Sequence, residues 1–102
     1  MARWHRWTFE VSAPADDFVR GVQRALAVRG VHVEPAARFD FAARAFGARA
    51  YAHVAWVDQG LEMTLKVKGG LFSAPVALER LVLEASQEAQ ARLAFLPGDT
   101  II

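Results

Sequence analysis

The sequence predicts an α+β fold: a two-layer sandwich in which an antiparallel sheet of four or five strands carries a long C-terminal helix on one face. Segments that alternate apolar and polar residues indicate half-buried strands, and two segments with apolar residues every three or four positions indicate helices. Short joins containing glycine indicate hairpins between consecutive strands. Strands joined by hairpins are antiparallel, and helices on one face complete the second layer. The expected order is β-α-β-β-β(-β)-α.

The first predicted elements are a strand and a helix. Residues 6–11, RWTFEV, place aromatic and aliphatic side chains on one side and polar side chains on the other. The segment 12–30 then has helical spacing. Ser12 is a suitable cap, Pro14 suits a first turn, and Gly30 is a common stop just after a helix.

The middle of the chain predicts the remaining strands. The clearest is LEMTLKVK, which alternates apolar and polar residues over its whole length. VHVE is short and is followed by proline, so it is the optional strand of the sheet. These strands are expected at 31–34, 38–46, 48–57 and 61–68.

The hairpin loops decide which side chains share a face. Two-residue loops at 47–48 and 59–60 give one continuous apolar face across three strands. On this face Phe39 and Phe41 lie opposite Trp56 and Val54, which in turn lie opposite Met63 and Leu65. Three-residue loops would instead turn the middle strand over and place Tyr51 and His53 in the core. We prefer the two-residue loops because they bury Trp56, and the alternative stays open.

The C-terminal helix is predicted over 73–97, with leucine, valine and alanine at three- and four-residue steps. About 22 helical residues span about 33 Å, enough to cross a small sheet. Residues 1–97 therefore form a single expected domain, and 98–102 form a tail.

The stretch KVKGGLFSAP, residues 66–75, has some parts of a phosphate cradle. Lys68, the two glycines and Ser73 precede a predicted helix, and phosphates bind at helix N-termini. The spacing of a P-loop or dinucleotide motif is absent, however, and Pro75 removes one amide from the first turn. We therefore interpret this stretch as a strand-to-helix turn, with Phe72 packed against the helix start.

Composition excludes several classes of function. The 102 residues include no cysteine, which excludes disulfides and thiolate chemistry, and the net charge is only +1. No apolar run approaches the roughly 18 residues that span a bilayer, and no secretory signal is evident. We expect a cytoplasmic protein with no membrane partner.

The sequence predicts no catalytic residue, cofactor or metal site. His5, His32 and His53 lie on different predicted strands, without the close spacing of metal ligands. No serine lies in a nucleophile motif. We therefore favour a protein that is not an enzyme; an enzyme would need a cleft assembled from residues that are scattered in the sequence, and that alternative stays open.

The strand 61–68 that leads through two glycines into the helix 73–97 carries a resemblance at the level of element order. It is similar to the helix-grip arrangement of START-like ligand-binding domains and to the TATA-binding-protein-like fold. The resemblance implies an apolar ligand held between the sheet and the long helix. Candidate lining residues are Phe39, Phe41, Trp56, Met63, Leu65 and Leu81.

Two other functions remain possible from the sequence. The protein could form a homodimer through the open sheet face or through an edge strand from residues 3–11. Nucleic acid could bind a face rich in Arg, Lys and aromatic residues, although the small net charge argues against it. The candidate residues on this surface are Arg44, Tyr51, His53, Val57, Lys66 and Lys68.

Overall fold

A computed structural model describes residues 2–94 and confirms the α+β sandwich, with five strands and two helices. The elements are β1 (Arg3–Phe9), α1 (Ala15–Val28), β2 (His32–Glu34), β3 (Phe41–Ala45), β4 (Ala48–Val57), β5 (Gly60–Gly69) and α2 (Ala74–Ala94). The last predicted helical residues, 95–97, and the predicted tail, 98–102, lie outside the described residues.

The strands form one antiparallel sheet in the order β1-β5-β4-β3-β2. The N-terminal strand therefore pairs with the last strand, and α1 crosses from one sheet edge to the other. Both helices pack on one face, where Phe18 and Leu26 of α1 and Leu78 and Val82 of α2 are fully buried. The opposite face, which we call the open face, presents polar and aromatic side chains of all five strands.

Both hairpin loops contain two residues, which decides between the two predicted registers. Ala45 pairs with Ala48 and Val57 pairs with Gly60, so the loops are 46–47 and 58–59. Each loop lies one residue earlier than predicted. That shift moves the pairing by two residues and leaves the side chains of the paired strand residues on their predicted faces, because side chains alternate with a period of two.

The prediction that this register buries Trp56 is wrong. Trp56 lies on the helix-facing side and pairs with Leu61, but its side chain is 56% exposed. The cause is the short β3, which begins at Phe41 opposite Ala52 and does not reach Trp56. Val54, which lies between Ala52 and Trp56 on the same face of β4, is buried as expected.

The placement of Phe39 on the apolar face is also wrong. Its ring lies 5.2 Å from that of Tyr51, on the open face. Arg38 has a left-handed backbone (φ 69°), and the Asp40 carboxylate accepts a hydrogen bond of 2.6 Å from the Val54 amide. This side-chain bond replaces the next backbone pairing between β3 and β4. Phe39 therefore lies before the start of β3, and its side chain does not follow the alternation of that strand.

The helix starts differ from their predictions in detail. Pro14 occupies the N-cap of α1 and no side chain caps that helix, so Ser12 does not have its predicted role. Gly30 follows α1 with φ of 79°, as predicted for a helix stop. Phe72 does not pack against α2, because its side chain is 98% exposed.

Candidate functional site

A row of basic side chains crosses the open face near one end of the sheet. Lys68 of β5 pairs with Arg49 of β4, Arg49 pairs with Arg44 of β3, and Arg44 pairs with His32 of β2. Residues paired directly across neighbouring strands point to the same face. We call these four residues the cation row.

The spacing of the cation row follows from sheet geometry. Neighbouring strands lie about 4.8 Å apart, so four consecutive strands span roughly 14 Å between the backbones of Lys68 and His32. The long side chains of three cations therefore share a small region of the surface, and their mutual repulsion favours an anion among them.

One carboxylate lies close to three of the four residues of the cation row. Glu34 of β2 lies 3.3 Å from the Arg44 guanidinium, 4.0 Å from that of Arg49 and 3.6 Å from the His32 imidazole. No carboxylate of residues 2–94 lies within 4 Å of the Lys68 ammonium. The row consequently has an excess of positive charge even though the whole chain is nearly neutral.

The neighbours of Arg49 favour its charged form. Its guanidinium donates a hydrogen bond of 3.3 Å to the Tyr51 hydroxyl. This bond, the electrostatic interaction with Tyr51 and the attraction of Glu34 together raise the pKa of Arg49 above its already high usual value. A guanidinium is charged in proteins in any case, so these contacts reinforce the positive charge of the row and do not create it.

The cation row lines an open pocket of about 550 Å³. The remaining lining comes from the turn between β3 and β4 and from the end of β5. These residues are Ala45, Gly47, Ala48 and Gly69. Its volume lies within the roughly 300–1,000 Å³ range of small-molecule sites. Because the side chains of the cation row and two glycines line this pocket, a ligand oxygen can approach both side chains and backbone.

An aromatic row lies next to the cation row. Trp4, Lys66 and Tyr51 are directly opposite one another on β1, β5 and β4. The Lys66 ammonium lies 5.5 Å from the Trp4 ring centre, and the Lys68 ammonium lies 5.6 Å from that of Tyr51. These cation–π contacts place both lysines over aromatic faces.

The six predicted surface residues all lie on the open face, but at different places. Arg44 and Lys68 belong to the cation row, and Tyr51 and Lys66 belong to the aromatic row. The other two lie nearer the opposite end: His53 is 3.4 Å from Asp40, and Val57 ends β4.

The sequence did not identify Arg49 or His32 as site residues. Each is an isolated basic residue in the sequence, and only strand pairing aligns them with Arg44 and Lys68. The sequence feature that indicates this alignment is the turn at Phe46–Gly47. Once the loop is placed there, the pairing of Arg44 with Arg49 follows directly.

The six predicted lining residues do not form one cavity wall. Phe41, Met63 and Leu65 are fully buried and fill the core themselves. Leu81 is partly buried against that core. Phe39 and Trp56, as described above, lie on the open face and at an exposed position respectively.

Comparison of the chain with protein-family models, curated proteins and solved structures gives no match. Neither described helix is both long and apolar enough to cross a membrane. Function must therefore be inferred from the site itself.

Proposed function

We propose that the protein binds a phosphate-bearing ligand in the pocket of the cation row. The observation that carries this proposal is the alignment of Arg44, Arg49 and Lys68, with His32, along one pocket wall. Among residues 2–94, Glu34 is the one carboxylate within 4 Å of these basic groups. Guanidinium groups bind phosphate oxygens in pairs, and lysine adds a point charge. A phosphate would relieve the repulsion within the row.

This proposal uses part of the KVKGGLFSAP stretch but not the mechanism considered from sequence. Lys68 and Gly69 line the pocket, whereas the other cations come from β3 and β4. The ligand would thus lie against the open sheet face, and the start of α2 would supply none of its charge.

An apolar ligand between sheet and helix has less support from the geometry. That space is occupied by Phe41, Met63 and Leu65, each with no exposed side-chain surface. Nucleic acid stays a prediction as well. Lysines lie over the Trp4 and Tyr51 rings, and Phe39 packs against Tyr51, so these rings are not free stacking platforms.

Self-association through the open face also stays a prediction. Two copies joined across the whole face would bury both cation rows, each with Glu34 as its neighbouring carboxylate. Burying uncompensated charge is costly, so an anionic ligand fits this surface better than a second copy does.

The test is a titration of the ¹⁵N-labelled chain with inorganic phosphate, followed by amide chemical shifts. We expect the amides of Gly47 and Gly69 to shift with saturation in the millimolar range, about 1–10 mM, as for an exposed site of a few charged contacts. The variant Arg49→Gln, Lys68→Gln should weaken this affinity about fivefold or more.

Arg6→Gln is the matched control. Arg6 lies on the same face, but it faces Glu62 at 3.6 Å and lies outside the cation row. It should leave the phosphate affinity unchanged. Equal weakening by Arg6→Gln would reduce the effect to general charge, and the absence of any shift at about 10 mM phosphate would overturn the proposal.

A further inference from the structure

Three large apolar side chains are exposed together at the end of the sheet that carries the pocket. Phe46 is 59% exposed in the turn between β3 and β4, and Leu71 and Phe72 are 76% and 98% exposed in the loop between β5 and α2. The two segments are neighbours, because Ala48 pairs with Gly69. We call Phe46, Leu71 and Phe72 the apolar tip.

The backbone conformation at the apolar tip favours residue types other than phenylalanine. Phe46 and Phe72 have left-handed φ values of 57° and 54°. Glycine and asparagine adopt this region most readily, and bulky residues are uncommon there. A two-residue hairpin loop whose second residue is glycine, as Gly47 is here, in particular favours asparagine at position 46. Aromatic side chains at both positions therefore indicate a role outside the fold.

The loop is built so that the tip stays outside the core. A Cβ atom on Gly70 would lie 3.0 Å from the Cβ atoms of both Ala48 and Ala74. Gly70 thus brings the loop backbone close against β4 and the start of α2. Leu71 and Phe72 follow immediately and have little room to fold inward, consistent with their exposure.

Charge is distributed unevenly between the two ends of the sheet. The cation row lies beside the apolar tip, whereas the opposite end carries carboxylates in the β4–β5 turn, directly after β1 and at the start of α1. These carboxylates are Asp58, Glu10, Asp16 and Asp17, of which Asp17 is paired with Arg20 at 2.8 Å. Although the net charge is only +1, the end of the sheet that carries the pocket is basic and apolar, and the opposite end is acidic.

We propose that the apolar tip inserts into the surface of an anionic lipid bilayer while the cation row binds lipid phosphates. Apolar side chains that enter the headgroup boundary, flanked by cations, are the combination that holds proteins on anionic membranes. The absence of a spanning helix among the described residues concerns crossing a bilayer, whereas this contact is confined to its surface. The assignment of the bound phosphate to a lipid headgroup rests on the proposed function, which is phosphate binding by the cation row.

Vesicle flotation with the full chain tests this contact. Vesicles of phosphatidylcholine are compared with vesicles that contain about 30% phosphatidylserine, at low and at physiological salt. We expect the chain to float with the anionic vesicles only, and less so as salt increases.

The decisive variant is Phe46→Asn, Phe72→Asn. Asparagine suits both left-handed positions, so this variant should unfold at the same temperature as the original chain or higher. Its partition onto anionic vesicles should fall by about tenfold or more, because two aromatic side chains no longer enter the bilayer. Val28→Ser is the control: it removes an 85% exposed apolar side chain from α1 and should leave partition unchanged.

Several outcomes would overturn the inference: no flotation of the original chain, equal flotation of Phe46→Asn, Phe72→Asn, or a loss as large in Val28→Ser. Retention on a single-stranded DNA oligonucleotide without flotation would overturn it in favour of nucleic acid. Phosphate titration of Phe46→Asn, Phe72→Asn separates the two proposals, because the cation row is intact in it. Normal phosphate shifts without vesicle binding in the original chain would remove the membrane contact and leave the phosphate site.

Discussion

Gly60 offers a sharp test of how β1 closes the sheet, through the substitution Gly60→Ala. Gly60 begins β5 with φ of 138°, and a Cβ atom there would lie 2.3 Å from the Phe9 carbonyl oxygen and 3.1 Å from the Phe9 carbonyl carbon. Both atoms belong to the backbone of β1, so no side-chain rotation can remove the clash. The end of β1 would have to move away from β5.

The expected magnitude has two parts. The unfavourable φ costs about 1–3 kcal/mol, and displacement of packed structure costs about 1–3 kcal/mol more. We therefore expect Gly60→Ala to lower the free energy of unfolding by about 2–6 kcal/mol, a large share of the roughly 5–15 kcal/mol that stabilises a small domain.

Gly30→Ala separates the two parts. Gly30 also has a positive φ, of 79°, but nothing lies within 4 Å of its added Cβ atom. It should cost only about 1–2 kcal/mol, from the backbone conformation alone. Urea unfolding followed by tryptophan fluorescence measures both variants. Equal losses for the two substitutions would refute the close approach of β1 to Gly60.

Two further predictions concern stability and are checked by the same unfolding assay. Glu79→Gln should lower the free energy of unfolding by about 1–2 kcal/mol, because buried Glu79 accepts a 2.7 Å hydrogen bond from Arg3. The cost stays below that of a fully buried pair because the Arg3 side chain is half exposed. Glu84→Gln, on the exposed side of the same helix, should change stability by less than about 0.5 kcal/mol, and a similar cost for both substitutions would contradict a special role of buried Glu79. Phe41→Ala should cost about 3–5 kcal/mol, whereas Phe39→Ala should cost less than half as much; comparable losses would contradict the placement of Phe39 outside the core.

The sequence predicted the sheet faces better than the turns that set them. Apolar and polar residues alternate strictly in β5 and over most of β4, and a two-residue shift in pairing does not change which face a side chain occupies. Val54, Met63 and Leu65 are accordingly buried as expected. A pattern of period two is insensitive to this kind of error, so the core could be predicted from local sequence.

Contacts between distant residues could not be predicted in the same way. The bond between Asp40 and the Val54 amide ends β3 early and leaves Phe39 and Trp56 outside the core. Nothing in the alternation of residues 38–46 indicates that Asp40 will bind a backbone amide of another strand. The cation row depends on pairing in the same way, since Arg44 and Arg49 meet only when the turn is placed at 46–47.

The pairing of β1 with β5 has a consequence for how the chain folds during its synthesis. Arg3 pairs with Val67, 64 positions later (67 − 3), whereas β3, β4 and β5 pair with their immediate neighbours. At about 5–20 residues per second, β1 waits roughly 3–13 seconds for its partner strand. The hairpins can form as soon as they are made, because local pairings cost little loop entropy. During this wait the apolar side chains of Trp7 and Phe9 have no strand partner, so neighbouring nascent chains on one messenger could exchange β1 with each other.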